Sequence, residues 1–384
     1  MRHLDAMGLL ARLLGWMIAV AVLTLVIASG LAIRLDNALY DMHMRYWGYR
    51  PGNAVVIVAI DPKSLAALGN WPWPRAVHAK LIDRLTDAGV RAIGMDVTMA
   101  EPDLRHPEND EALAAAMRRN GRVVMPVFPE AAELGGTLEE MLPTPRIAAE
   151  AAAFGHVDAA KDDDGVVRGA YLKAGLGSPF WPALAVAVRD LGRRGAGERE
   201  PQSLRRSMQE GASPYQWLRD DYVMLHFAGP AGSFDQVSYV DVLEGRAPSS
   251  LLKDRWVLVG ATAAGLGDLL DTSVSGGNER MPGVEYQANL LESVEAGRTL
   301  APLNFSRQLL IGAAVLALPF LLYGWIGFRS ARMVAFAATA ACLLTSVVLL
   351  REMRWWWPPT ACLLVILGGA VLVSVVENAR RRRD

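Results

Sequence analysis

Cysteine is almost absent: two residues, Cys342 and Cys362, in a chain of 384. Both lie inside apolar segments, so disulfides do not hold the large polar part together. A stretch of that size can bury a full core without such staples. Histidine is also scarce, six residues scattered along the chain. His78 reads as part of a helix and His156 as part of a strand, each an ordinary packed or surface residue. There is no Gly-x-Ser-x-Gly elbow for a nucleophilic serine and no His-Glu-x-x-His zinc helix. The glycine-rich run Gly260–Asp268 lacks both the Gly-Lys-Ser/Thr ending of a phosphate loop and the spacing of a dinucleotide loop. No internal repeat is present, and no cofactor or metal is called for.

A basic surface is missing too. Of 39 basic and 40 acidic residues, 11 basic and 4 acidic lie outside 34–306, leaving 28 and 36 within it, a net of −8. Nucleic acid is therefore not an expected partner, because phosphate binding needs a basic face.

What the chain has is apolar segments in an uneven arrangement. One covers 13–33, and three follow at 309–328, 333–350 and 359–376. A membrane span needs about 20 apolar residues. The expectation is four transmembrane helices: one at 13–33, then three within 307–378, with a domain at 34–306 between them. Residues 1–12 and 379–384 form short tails. Lys and Arg collect on the cytoplasmic side. Arg2 and Arg12, Arg329 and Arg332, and Arg380–Arg383 would share that side in a four-span chain. Residues 34–306 are then extracytoplasmic, in a multi-pass membrane protein. Arg351 and Arg354 in the opposing turn run against the rule, while Trp355–Trp357 there suit a water–lipid interface. The terminal arginines also suit anionic lipid headgroups, or else an output linkage. A cleaved signal peptide is the rival reading of 13–33, although its apolar stretch exceeds a usual h-region.

Within 34–306 the pattern is α/β, a mixed, largely parallel sheet flanked by helices. Leu35, Leu39, Met42 and Tyr46 recur at helical spacing after the first span. This membrane-proximal helix either transmits movement or docks on the core. Val55–Asp61 is a near-continuous β-branched run, as in a strand buried on both faces. A helix at 75–88, stopped by Gly89, leads to a second strand at 92–99, a βαβ unit. A helix at 109–119 precedes Val123–Phe128, where Pro126 points to an edge or bulge. Further strands are expected near 155–159, 166–173, 222–227 and 255–261, and helices at 181–192 and 284–295. Residues 193–213, rich in Arg, Gly, Glu and Ser, read as a surface insertion.

Several acids and aromatics are site candidates. Asp61 and Asp96 end strands, and Glu101 and Asp103 follow on the next loop. The four acids could converge, bind a hard cation such as calcium or magnesium, although their spacing matches no standard metal loop, or receive a polar ligand with Arg75. Ligands in open α/β sheets gather beyond the carboxyl ends of the strands. Trp71, Trp73 and Arg75, in Trp71-Pro-Trp-Pro-Arg75, could frame an anionic or aromatic ligand. Thr262 and Asp268 sit in the glycine-rich run, whose backbone could form an anion nest, with Asp271 nearby. Bland alternatives stand beside each: tryptophans capping the sheet, Arg75 paired with a carboxylate, aspartates capping helices and turns, and a tight structural turn. Asp162-Asp-Asp-Gly165 reads as a turn rather than a calcium loop.

These residues occur in a characteristic order. Val55-Val-Ile-Val-Ala-Ile-Asp61 is followed by Ser64-Leu-Ala-Ala-Leu-Gly69 and Trp71-Pro-Trp-Pro-Arg75. Then come Ala92-Ile-Gly-Met-Asp96, Glu101-Pro-Asp103, Val257-Leu-Val-Gly-Ala-Thr262, Gly265-Leu-Gly-Asp268 and Met281-Pro-Gly-Val-Glu-Tyr-Gln-Ala-Asn289. The series, over about 35–300, resembles the type-two CHASE domain (cyclase/histidine-kinase-associated sensing extracellular). The resemblance implies a bacterial membrane receptor whose outside domain detects a small molecule or protein. It implies no catalytic residues in that domain. Its usual outputs are cyclases and kinases, which act as dimers, so a homodimer is expected. None of these outputs is in the sequence, and the expectation is an input half whose output is either missing from this sequence or supplied by a separate cytoplasmic cyclase or kinase. A tethered hydrolase using the sheet-edge carboxylates, or a structural assembly protein, are the other readings.

Overall fold

The computed structural model describes residues 2–131, 136–193, 213–267, 269–275, 279–326 and 331–381. The chain divides into two compact units, 44–299 and the pair of segments 1–43 and 300–384.

Unit 44–299 is built on a seven-stranded mixed sheet. Its strands are β1 (Val55–Ile60), β2 (Ala92–Asp96), β3 (Val123–Ala131), β4 (Leu138–Met141), β5 (Ala153–His156), β9 (Gln236–Ser238) and β10 (Trp256–Ala261), numbered together with those of a second sheet: β6 (Ala160–Lys161), β7 (Val167–Leu176) and β8 (Trp217–Met224), which the two-residue strand Trp181–Pro182 completes as a fourth. The main sheet runs β9-β1-β10-β2-β3-β5, all parallel, with β4 antiparallel along the outer half of β3. Every residue of β1 is buried, as the β-branched run requires of a strand covered on both faces.

Two details differ from the sequence reading. β1 and β2 are parallel but not neighbours, because β10 inserts between them. The second strand also stops at Asp96. Pro126 lies within β3, which pairs on both sides. The ladder to β2 ends at Val124, however, so no N–H is demanded of the proline on that side.

Helices α1 (Pro62–Leu68), α2 (Arg75–Asp87), α3 (Pro107–Asn120), α4 (Leu184–Gly192) and α5 (Gly283–Glu295) flank the sheet. α2 buries His78, Ala79, Leu81, Ile82 and Leu85, and Gly89 follows at φ 72°. Leu81, Ile82 and Leu85 join Val56, Val58 and Val257 in the core. The second sheet is antiparallel, with β7 at its centre and β8 paired along it. The Asp162–Gly165 segment is the hairpin turn into β7: Gly165 donates to the Asp162 carbonyl at 2.8 Å. Arg168, 2% exposed, grips Asp162 and Asp164, each at 2.8 Å. The proposed insertion at 193–213 lies almost wholly outside the described residues.

The other unit holds helices Arg2–Ser29, Phe305–Ile326, Ala331–Met353 and Thr360–Arg381, and most of Ile33–Tyr46. Two windows are long and apolar enough to cross a membrane, Leu9–Ser29 and Met333–Met353. Phe305–Phe320 and Thr360–Val375 are apolar but shorter, so four full spans are not established. The side chains of 321–332 fall outside the described residues, as do those of 380–384 with the arginine cluster. Trp356 and Trp357 are buried. Trp357 donates to the Gln308 carbonyl, and Trp356 meets Tyr40 edge-on at 5.2 Å. The expected stripe on Ile33–Tyr46 is also displaced. Leu35, Met42 and Tyr46 are exposed, while Ala32, Asp36, Tyr40 and Met44 are buried.

Candidate functional site

Parallel strands end in loops on one side of a sheet, and the crevice beyond them is where open α/β folds bind ligands. A cleft of about 940 Å³ opens there. Ile60, Asp96 and Ala261 carry it past the ends of β1, β2 and β10, Phe128 reaches it from β3 just beyond the ladder with β5, and Trp71 and Pro72 close one side. Its opposite wall is the second sheet, with Lys161, Tyr171 and Arg219. Gly283, Val284 and Gln287 of α5 supply a further wall. Gly260 makes the close approach of α5 possible. A Cβ there would lie 2.7 Å from Val284 Cβ and 3.2 Å from Asp96 Cβ. Gly265, at φ 85°, turns the chain back along the rim.

One of the two cations of the second-sheet wall is paired. Asp158 accepts from Trp217 Nε1 at 3.0 Å and from Arg219 Nη2 at 3.0 Å, and also from Arg219 Nε. Its carboxylate raises the pKa of Arg219 against the opposing effect of burial. The guanidinium sits 5.9 Å from the Tyr171 ring centre, within the range of a cation–π contact. Among the described residues Lys161 has no ion-pair partner.

The predicted site residues separate into three groups. Trp71 and Asp96 line the cleft. Asp61, Trp73, Arg75, Asp103, Glu101 and Thr262 do not. Asp268 lies outside the described residues.

Each excluded residue has another task. Asp61 caps α1, accepting from Ser64 N at 2.8 Å and Ser64 Oγ at 2.6 Å, and it also receives Ser238 Oγ. Burial opposes its charge, but the hydrogen bonds from Ser238 and Ser64 prevail and hold its pKa below the usual value. Trp73 is 4% exposed and donates to the Gly69 carbonyl at 3.0 Å, packed against Tyr239 and Trp71. Arg75 pairs with Asp110 at 3.1 Å and donates to the Glu101 carbonyl. Asp103 accepts from Asn109 Nδ2 at 2.9 Å and His106 N at 3.0 Å at the entry to α3, and these bonds lower its pKa. The Glu101 side chain is exposed. Thr262 donates its backbone N–H to the Ile60 carbonyl at 3.1 Å. Asp271 pairs with Arg280 at 3.3 Å. The acids therefore do not converge. Among the described residues no group of three His, Cys, Asp or Glu could hold a metal ion.

Lys161, Tyr171, Arg219, Asp158 and Gln287 reach the cleft without having been singled out. The first four sit on or beside the second sheet, whose placement no local pattern announces. Gln287 was visible as part of Met281–Asn289, a segment that resolves into an anchoring device. Glu285 accepts backbone N–H groups from Gly232 and Ser233 at 2.8–2.9 Å. Asn289 accepts from Ala228 N at 2.9 Å, and Tyr286 donates to the Gly169 carbonyl at 3.1 Å. Ser293 donates to the His226 carbonyl at 3.3 Å, and Glu292 accepts from Gly52 N at 3.0 Å. Burial raises the Glu285 pKa, opposed by the N–H groups of Gly232 and Ser233.

The CHASE2 domain family model matches residues 17–328. Neither the curated proteins nor the solved structures contain a significant match. The family match spans most of the chain, including both cleft walls and the α5 anchor, and the chain therefore belongs to the CHASE2 domain family of sensory extracellular domains.

Proposed function

We propose that this protein is a bacterial membrane receptor whose extracytoplasmic domain binds a small molecule in the cleft and signals inward. The observation that carries the reading is a cleft at the carboxyl edge of the sheet in a chain of a sensory family. Four spans and an inner-membrane location form part of the proposal, supported by two apolar windows of 21 residues and two shorter ones and by the arginine distribution. A homodimer and a cytoplasmic cyclase or kinase as the output partner complete it, by analogy with the family's outputs. Signalling needs two states that the ligand binds unequally. The cleft offers a means, because its walls belong to two different sheets and α5.

The tethered-hydrolase reading requires carboxylates brought together, and Asp61 is instead spent on a helix cap and Asp103 on the turn that leads into α3. Hydrogen exchange on the full chain in detergent tests the cleft. A dialysable small-molecule extract of the host's extracytoplasmic space should slow exchange in 157–161 and 265–267 relative to buffer. An extract that leaves both segments unchanged would overturn the cleft as the ligand site.

A further inference from the structure

Gln287 lines the cleft yet is only 2% exposed. The backbone N–H of Ala185 donates to its Oε1 at 3.3 Å. Ala185 lies in the first turn of α4, where Ala183 offers no side-chain cap. Gln287 thus supplies an acceptor that this helix end otherwise lacks. Fixing Oε1 also fixes the other half of the amide. Among the described residues nothing accepts from its two N–H donors, and the residue that carries them lines the cleft.

The neighbouring groups have the same bias. α5 begins after Pro282 with no side-chain cap, and its first residues, Gly283 and Val284, line the cleft one turn before Gln287. Backbone N–H groups at such an end favour negative charge. Across the cleft stand Lys161 and the Arg219 guanidinium, the latter already sharing its charge with Asp158. Asp96 is the exception, an acid that lines the cleft and whose Cβ, like that of Val284, packs beside Gly260. Trp71, Phe128 and Leu266 provide apolar surface.

We infer that the cleft binds a small organic acid that also carries a hydrogen-bond donor, a hydroxy acid or an amino acid. The ligand carboxylate faces the Gln287 amide and Lys161, and its hydroxyl or ammonium faces Asp96. The inference rests on the cleft being the ligand site and adds its chemical class. Like charge at Asp96 disfavours a plain dicarboxylate and sets the ligand's orientation.

Calorimetric titration of the full chain in detergent tests it, with lactate, malate, serine and glutamate against propionate, succinate, glycerol, putrescine and inorganic phosphate. At least one donor-bearing acid should bind at least tenfold more tightly than the acids lacking a donor. Lys161→Ala should weaken that binding at least fivefold. Gln287→Glu keeps an acceptor for Ala185 and so preserves the α4 cap, but it replaces the donors with negative charge and should abolish binding. Asp96→Asn should shrink the preference for donor-bearing acids. The inference is overturned if none of the acids binds, if phosphate, glycerol or putrescine binds as tightly as the best acid, or if acid binding survives both Lys161→Ala and Gln287→Glu. Protection by the extract with no acid binding would remove the ligand class and leave the cleft standing. Absence of both would remove the cleft itself.

Discussion

Single side chains show how a residue type that suits binding can be committed to structure. Asp61 sits at a strand end, where ligand acids often sit, but its oxygens are used by Ser64 and Ser238. Asp61→Ala should therefore lower stability by about 1–2 kcal/mol, the usual cost of a lost cap, and leave ligand binding intact. Thermal melts of the full chain read the first effect and titration the second. The buried histidines make a separate prediction. His78, bonded to Tyr239 at 2.8 Å, and His156 both have pKa values lowered from 6.5 to about 4, chiefly by burial. The unfolded chain then binds more protons than the folded one between those values. Stability should be complete above pH 6.5 and fall as pH drops toward 4. His78→Gln should flatten this slope in melts taken across that range, and an unchanged slope would show that other groups set it.

At the level of elements, α5 matters more than its length suggests. One helix of 13 residues ties down the loops at Gly52, Ala228 and Gly232, and strand β7 at Gly169. Its polar residues read in sequence as a family motif, and amphipathic spacing alone would have put several of them in solvent. They are buried because each meets a backbone group from a distant segment. Glu285→Ala removes the charge-assisted hydrogen bonds from the Gly232 and Ser233 N–H groups, at a cost of about 1.5–3 kcal/mol. The melting temperature of that variant should drop by several degrees. Gly260→Val should cost about 1–3 kcal/mol by overpacking against Val284. It should also narrow the cleft, so binding falls together with stability. The membrane-proximal helix teaches the converse. Its clearest apolar stripe, Leu35, Met42 and Tyr46, is exposed, because periodicity fixes which residues share a face but not which face meets a neighbour.

For the whole molecule, orientation and assembly are the open physical questions, and both can be measured. Cys342 and Cys362 are buried, so a cysteine placed at exposed Ser178 can be followed over little background. Ser178→Cys should react with a membrane-impermeant maleimide in intact spheroplasts. Labelling only after lysis would put the domain in the cytoplasm. Light scattering of the detergent-solubilised chain should give twice the 41.6 kDa chain mass if the receptor is a homodimer. The sequence by itself determined the apolar segments, the strands of the parallel core apart from β9, and the family. Those signals are local runs of hydrophobicity and ordered short motifs, which survive without knowledge of partners. Only the tertiary structure decided that β10 enters between β1 and β2, that Asp61, Trp73, Arg75 and Asp103 serve the scaffold, and that Lys161, Arg219 and Gln287 face the cleft beside Trp71 and Asp96. Those outcomes depend on which distant backbone and charged groups come within hydrogen-bonding reach, a property of pairing across the sheets that no single stretch of chain contains.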